Sequence, residues 1–251
     1  MSSITLTLIA FVCIFGGALL GMLFRRFLPV HHLSDDSRDV MKLATGLVGT
    51  MAALVLGLLV ASAKGSFDAQ TTELTQMSAD FILLDRVLAG YGPETGQARE
   101  TLRDVAGRML DQLWSKNLNG ASRLDPTSIG GGVLYQQIHA LAPQTDLQRS
   151  LQSQALNMTT NLGQTRWLMY AQGATSVSKP MLAIMVFWLT ITFVIWGLLA
   201  ARNGTLIVTM LVSALSASGA ILLILEMYSP YEGLIRVSDA PLRAALAHLG
   251  Q

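Results

Sequence analysis

The sequence predicts an all-α integral membrane protein with four transmembrane helices and a helical extramembrane domain inserted between the second and third. Only 13% of the residues are charged, against about a quarter in ordinary soluble domains. Four apolar stretches are long enough to cross the ~30 Å hydrocarbon core of a bilayer, and the long segment between two of them has the residue spacing of packed helices. We therefore divide the chain into 1–64 (spans one and two), 65–179 (helical domain), 180–228 (spans three and four) and a C-terminal segment, 229–251.

The apolar stretches define the four predicted spans. The first has no basic residue ahead of it and is followed by Arg25 and Arg26 instead of a small-residue cleavage site, which predicts a retained helix and not a signal peptide. The third and fourth are separated only by Arg202-Asn203-Gly204, a turn so short that it predicts an antiparallel hairpin. The predicted spans are Ile4–Phe24, Leu43–Ala63, Pro180–Ala201 and Leu206–Tyr228.

An even number of spans places both termini and the helical domain on one side of the membrane. The short loop Arg25–Lys42 and the turn at Arg202 are basic, and the positive-inside rule therefore makes them cytoplasmic. This predicts a multi-pass protein of a bacterial inner membrane with its domain on the periplasmic side. The bias is small, because basic residues also flank spans on the domain side: Lys64, Lys179, Arg236 and Arg243.

The domain is predicted to be a solvated helical bundle. Apolar residues alternate three and four apart directly after the second span, so one helix is expected from about Leu43 to about Leu88, ending before Gly92 and Pro93. A second helix, a loop over Asn117–Gly132, a short helix near Val133–Leu141 and a last helix from about Thr145 follow. The first helix has the seam spacing of packed helices at Leu74, Met77, Phe81, Leu84 and Leu88, and the last helix carries Leu147, Leu151, Leu156, Leu162 and Trp167 toward the third span.

Two spans carry faces of small or hydroxyl-bearing residues. Small residues let helices approach closely in lipid, and the same faces are also suited to lining a pore, so both readings stay open. The second span contains no aromatic residue and offers Gly, Thr, Ala and Leu. The candidate pore or helix-packing residues are Gly46, Gly49, Thr50, Ala53, Gly57, Ala61, Ser213 and Ser216.

Glu226 lies in the last turn of the fourth span, where a carboxylate is costly unless it is paired or hydrated. The predicted topology puts it at the same membrane surface as Lys64, so the two form a candidate ion pair at the membrane edge. The alternatives are a role in permeation or proton sensing, and exposure of the side chain to solvent.

No catalytic residues, cofactor or metal site are predicted, and we do not expect an enzyme. The sequence has no phosphate-binding loop, nucleophile elbow or HExxH motif. His31, His32, Asp35 and Asp36 match no zinc-ligand spacing and are interpreted as a solvated loop. The single cysteine, Cys13, excludes a cysteine-ligated metal, and a net charge of +1 without a basic tail gives no support for nucleic-acid binding.

Three segments resemble the bacterial bestrophin-like family. They are Arg25–Pro29 after the first span, Gly57–Asp68 where the second span ends, and Glu226–Ser238, whose acid, proline, aromatic, glycine and arginine are the most specific part. The resemblance covers nearly the whole chain. It implies a distant relationship to bestrophins, which are pentameric anion channels with helical cytosolic domains, and so puts the domain on the side opposite to that given by the charge bias.

The predicted function is an oligomeric membrane protein of the bestrophin-like type, acting as an anion channel. Its partners would be the lipid bilayer, further copies of the chain (a pentamer by the resemblance) and inorganic ions. The alternative is a non-conducting membrane scaffold or signalling component that binds a partner through its helical domain.

Overall fold

The computed structural model describes residues 2–27, 35–114, 130–173, 179–200 and 203–250. Within these ranges the chain forms eight α-helices and one 3₁₀ turn, Pro93–Thr95. The helices are α1 (Ser3–Phe24), α2 (Asp35–Tyr91), α3 (Gly96–Trp114), α4 (Gly131–His139), α5 (Asp146–Gly173), α6 (Lys179–Leu199), α7 (Gly204–Met227) and α8 (Ala240–His248).

The chain divides into two compact units. The first contains Met1–Gly65 and Ser176–Tyr228, and the second contains Ser66–Thr175 and Ser229–Gln251. The helix α2 belongs to both, because it continues without a break for 57 residues and ends before Gly92. The predicted start of this helix was too late: residues 35–42, assigned to the loop before the second span, are already helical.

The first unit is the membrane-spanning part. Four helices, α1, α2, α6 and α7, are apolar and long enough to cross a bilayer. The helix α1 packs against both α6 and α7. The turn between the last two is short, since α6 ends at Leu199 and α7 begins at Gly204, while residues 201–202 lie outside the described part of the chain.

The second unit has its own apolar core. Leu74, Met77, Phe81, Leu84 and Leu88 of α2 are each at most 2% exposed, as their spacing predicts. They pack with buried residues of α3, α4, α5 and the C-terminal segment.

Two apolar residues of α5 lie outside this core. Leu147 is 66% exposed and Trp167 is 54% exposed. Leu147 lies in the first turn of the helix, and Trp167 is five residues beyond buried Leu162, about 140° further round the helix. The predicted loop over Asn117–Gly132 also ends early, because α4 begins at Gly131; residues 115–129 lie outside the described part.

The C-terminal segment packs into the second unit. Arg99 donates from Nε and Nη2 to the two carboxylate oxygens of buried Asp85, at 2.7 and 2.9 Å, and the N–H of Gly250 donates to the same carboxylate at 3.2 Å. Burial acts to raise the pKa of Asp85, but the hydrogen bonds from Arg99 and Gly250 outweigh it, so the pKa is lowered. The pair thus ties α2, α3 and the end of the chain together as long as Asp85 is ionised.

Candidate functional site

The part of α2 in the first unit has one buried face. Thr45, Ala52, Leu59 and Ala63 are each at most 4% exposed. They are spaced seven, seven and four residues apart, so they lie on one side of a helix with 3.6 residues per turn. Leu59 and Ala63 belong to the apolar core of this unit, and this face anchors α2 to the rest of the chain.

The predicted small-residue face lies elsewhere on the same helix and is open within one chain. Gly46, Thr50, Ala53, Gly57 and Ala61 are exposed, and Gly49 is half-buried. A β-carbon built at any of the three glycines would meet no atom within 4 Å, leaving out the helix's own neighbouring backbone. The Thr50 hydroxyl donates to the carbonyl oxygen of Gly46 at 2.8 Å, leaving its oxygen lone pairs to face outward.

A close helix contact does occur in the first unit, at glycines that were not among the predicted sites. A β-carbon at Gly21 of α1 would overlap the carbonyl oxygen of Val194, and one at Gly197 of α6 would overlap that of Ala18. Gly17 is also tight, with Thr190 Cγ2 only 3.1 Å from such an atom. The signal was present in the sequence, because Gly17 and Gly21 are four residues apart and form the small-xxx-small pattern of close helix pairs.

The candidate serines lie on α7. Ser213 is half-buried, and Ser216 is exposed and donates to the carbonyl oxygen of Val212 at 2.9 Å. A third serine, Ser218, is only 3% exposed, and its Oγ has no hydrogen-bond partner in the described part of the chain. Its burial was not predicted, because the burial of one hydroxyl in a serine-rich helix does not follow from residue spacing.

Glu226 is buried at the end of α7, with 3% of its surface exposed. The same end of α7 touches α2, because the hydroxyls of Ser62 and Tyr228 are 3.0 Å apart. Lys64 is exposed and follows Ser62 by two residues, so its side chain leaves α2 about 160° away from Ser62. This direction places Lys64 on the small-residue face, in line with Gly46 and Gly57. The proposed ion pair stays a prediction.

The closing segment forms a folded turn at the core of the second unit. The Val237 N–H donates to the carbonyl oxygen of Pro230 at 2.8 Å, and Gly233 has a φ of 82°, which favours glycine. The turn buries Tyr231 edge-on against Trp114, with ring centroids 5.8 Å apart. Burial raises the pKa of Tyr231 strongly; the Glu73 carboxylate adds to this and Arg166 opposes it.

The described residues provide no evident site for binding a metal ion. No group of three or more His, Cys, Asp or Glu residues that could hold an ion occurs among the described residues. His31 and His32 lie outside the described residues, whereas Asp35 and Asp36 are the first two residues of α2 and not part of a loop.

Comparisons with known proteins identify the family. The model of the bestrophin-like domain matches residues 12–242. Crystal structures of a bacterial bestrophin homologue from Klebsiella pneumoniae, each carrying a point mutation, share the fold: one has a TM-score of 0.70 at 12% identity, covering 99% of this chain and 97% of that one. Another has a TM-score of 0.65 at 14% identity, covering 95% and 99%. No curated protein sequence matches the chain. The chain belongs to the bestrophin-like family.

Proposed function

We propose that the protein is a homo-oligomeric anion channel whose ion path is lined by the small-residue face of α2. The observation that carries the proposal is the open face itself. Glycine, alanine and threonine at Gly46, Thr50, Ala53, Gly57 and Ala61 lie in a membrane-spanning helix and are not covered by their own chain.

Copies of the chain arranged around an axis would bring these faces together. Glycine and alanine have no long side chain, so this face of the unbroken helix would leave room for an ion between the copies. Bestrophins are oligomeric anion channels, which supports an oligomer with anions as the cargo; five copies is the number that the resemblance to bestrophins implies. Ser213 and Ser216 are secondary candidates for the polar lining.

A flux assay tests the channel. Purified protein in lipid vesicles should release chloride down its gradient, and nitrate or bromide should substitute for chloride whereas replacing potassium by sodium should not change the rate. Thr50→Leu should reduce the flux by tenfold or more, because it places a branched side chain on the path.

Thr209→Leu on α7 is the matched control. Thr209 is exposed and donates to the carbonyl oxygen four residues earlier, at 3.0 Å, as Thr50 does. Thr209→Leu should leave the flux within about twofold of that of the parent protein. Surface substitutions usually change the stability by no more than about 0.5 kcal/mol, so the variant should stay folded. Equal effects of Thr50→Leu and Thr209→Leu on the flux would contradict the proposal that α2 lines the ion path.

The second candidate is a non-conducting scaffold. The second unit supports it, because exposed apolar side chains such as Leu83, Val133 and Trp167 are available to a partner. Well-folded oligomer that gives no protein-dependent flux at any pH would favour this candidate over the channel.

We further propose the bacterial inner membrane as the location, with the helical domain on the periplasmic side. The support is the basic loop between the first two spans; the relationship to bestrophins favours the cytosolic side instead. Labelling of Ser2→Cys in intact cells by a membrane-impermeant maleimide, with Cys13 replaced, decides between them.

A further inference from the structure

The second unit contains a cavity that is independent of the proposed ion path. Its volume is about 200 Å³, which is room for several non-hydrogen atoms, since one water occupies about 30 Å³ in the liquid. It lies among α2, α3, α4 and α5, and its wall is mostly apolar: Met77, Phe81, Val105, Leu134 and Leu162 contribute to it. An apolar cavity of this kind, with a few polar groups, is the usual form of a small-molecule site.

Among the described residues of the wall, the one full charge is cationic. Arg166 brings a guanidinium group, and the exposed rings of Tyr135 and Trp167 line the cavity beside it. Thr159 is 8% exposed and already donates its proton to the carbonyl oxygen of Ala155, at 2.8 Å. Among the described residues, no carboxylate lines the cavity.

The surroundings of Arg166 include the Glu73 carboxylate, which does not line the cavity. Glu73 and Arg166 both act on the buried hydroxyl of Tyr231, in opposite directions. One oxygen of Glu73 accepts a hydrogen bond from Gln172 Nε2 at 2.7 Å. Arg166 is thus the cationic residue of the cavity wall, and Glu73 is not part of that wall.

The amino end of α4 adds to the same polarity. Gly131 and Gly132, its first two residues, line the cavity. The first N–H groups of a helix have no intrahelical acceptor and carry a partial positive charge, so they favour an anionic group. The partial charge at the amino end of α4 is smaller than that of the Arg166 guanidinium, which carries a full positive charge.

We propose that this cavity binds a small aromatic monocarboxylate, with its ring among Phe81, Leu134 and Leu162 and its carboxylate at Arg166. The planar guanidinium matches a carboxylate with two parallel hydrogen bonds. The exposed rings of Tyr135 and Trp167 form the entrance. A bound molecule would contact α2, α4 and α5 of the helical domain at the same time.

Phenylacetate is the probe, and its neutral amide, phenylacetamide, is the comparison ligand. Calorimetry on the full-length protein in detergent should show phenylacetate binding at least tenfold tighter than phenylacetamide. Arg166→Gln should remove this preference, because hydrogen bonds to a charged group contribute enough to change affinity about tenfold or more. Absence of phenylacetate binding, or equal binding of the two compounds, overturns the proposal.

Gly163 supplies a second test that leaves the charge unchanged. It lines the cavity from the middle of α5, and a β-carbon there meets no atom within 4 Å. Gly163→Leu should fill the space and weaken phenylacetate binding by tenfold or more. The matched control is Gly107→Leu, in the middle of α3, where an added β-carbon also meets nothing within 4 Å and which is not part of the wall.

Gly107→Leu should bind phenylacetate as the parent protein does. Should Gly163→Leu fail to fold, Gly163→Ala keeps the helix, since alanine favours a helix over glycine, and it should still weaken binding measurably. Unchanged affinity in a folded Gly163 variant, or an equal loss in Gly107→Leu, would show that phenylacetate binds outside this cavity.

Discussion

The glycines of α1 and those of α2 look alike in the sequence and serve different contacts in the structure. Gly21 of α1 and Gly197 of α6 are packed so closely that a β-carbon at either would overlap a backbone carbonyl oxygen of the other helix, and one at Gly17 would be tight against Thr190. Gly46 and Gly57 of α2 have open space beside them within one chain. Small residues in a membrane helix therefore mark a close approach, but they do not say whether the approaching group belongs to the same chain, to another copy or to the ion path.

The largest expected effect follows from the closed contact. Gly21→Ala and Gly197→Ala should each lower the free energy of unfolding by about 1–3 kcal/mol, because an inserted methyl group forces backbone apart in a packed interior. Gly21→Leu should leave no folded protein. Gly57→Leu, by contrast, should leave the single chain folded, because the space beside Gly57 is open within one chain. It should change the assembly, because a second copy or the ion path occupies that space in the oligomer.

Thermal unfolding in detergent and size-exclusion chromatography measure these effects together. The comparison predicts low melting temperatures for the α1 and α6 variants and a near-normal melting temperature with an altered elution volume for Gly57→Leu. Gly57→Leu that elutes and melts as the parent protein would mean that the α2 face meets lipid.

The sequence predicted the helices of this fold better than it predicted which helices contact one another. Span lengths and the core residues from Leu74 to Leu88 follow from local apolar length and period, and the structure has them. Gly17 and Gly21 of α1 are covered by α6, a helix far away in the sequence. The residues around Gly197 therefore do not predict this contact. Burial of Tyr231 against Trp114 likewise depends on the return of the C-terminal segment to the second unit.

A smaller effect concerns Glu226, the buried acid in the last turn of α7. Because Lys64 is exposed, solvent compensates much of a charge left without its partner, so we expect a loss of only about 1 kcal/mol. If Glu226 pairs with Lys64, Glu226→Gln and Lys64→Met should each destabilise the protein, and the double variant should recover part of the loss.

The direction of Lys64 makes this cycle informative about assembly as well. Lys64 is exposed and points away from the side of α2 that carries Ser62, so a pair within one chain requires its long side chain to bend round the helix. Coupling that vanishes when the oligomer is dissociated assigns the pair to neighbouring copies. Additive effects in the intact oligomer reject the pair; little destabilisation by Glu226→Gln, with an altered pH dependence of flux, would place Glu226 on a hydrated path.

The central claim is that copies of the chain cover the open face of α2, and cysteine cross-linking in native membranes tests it most directly. With Cys13 replaced by serine, Gly57→Cys and Ala53→Cys should form disulfide-linked dimers under mild oxidation. Leu8→Cys on α1, where Leu8 is 60% exposed, is the control and should stay monomeric. Linked chains from the α2 variants alone are the predicted result; monomers from Gly57→Cys and Ala53→Cys, as from the control, would contradict the account.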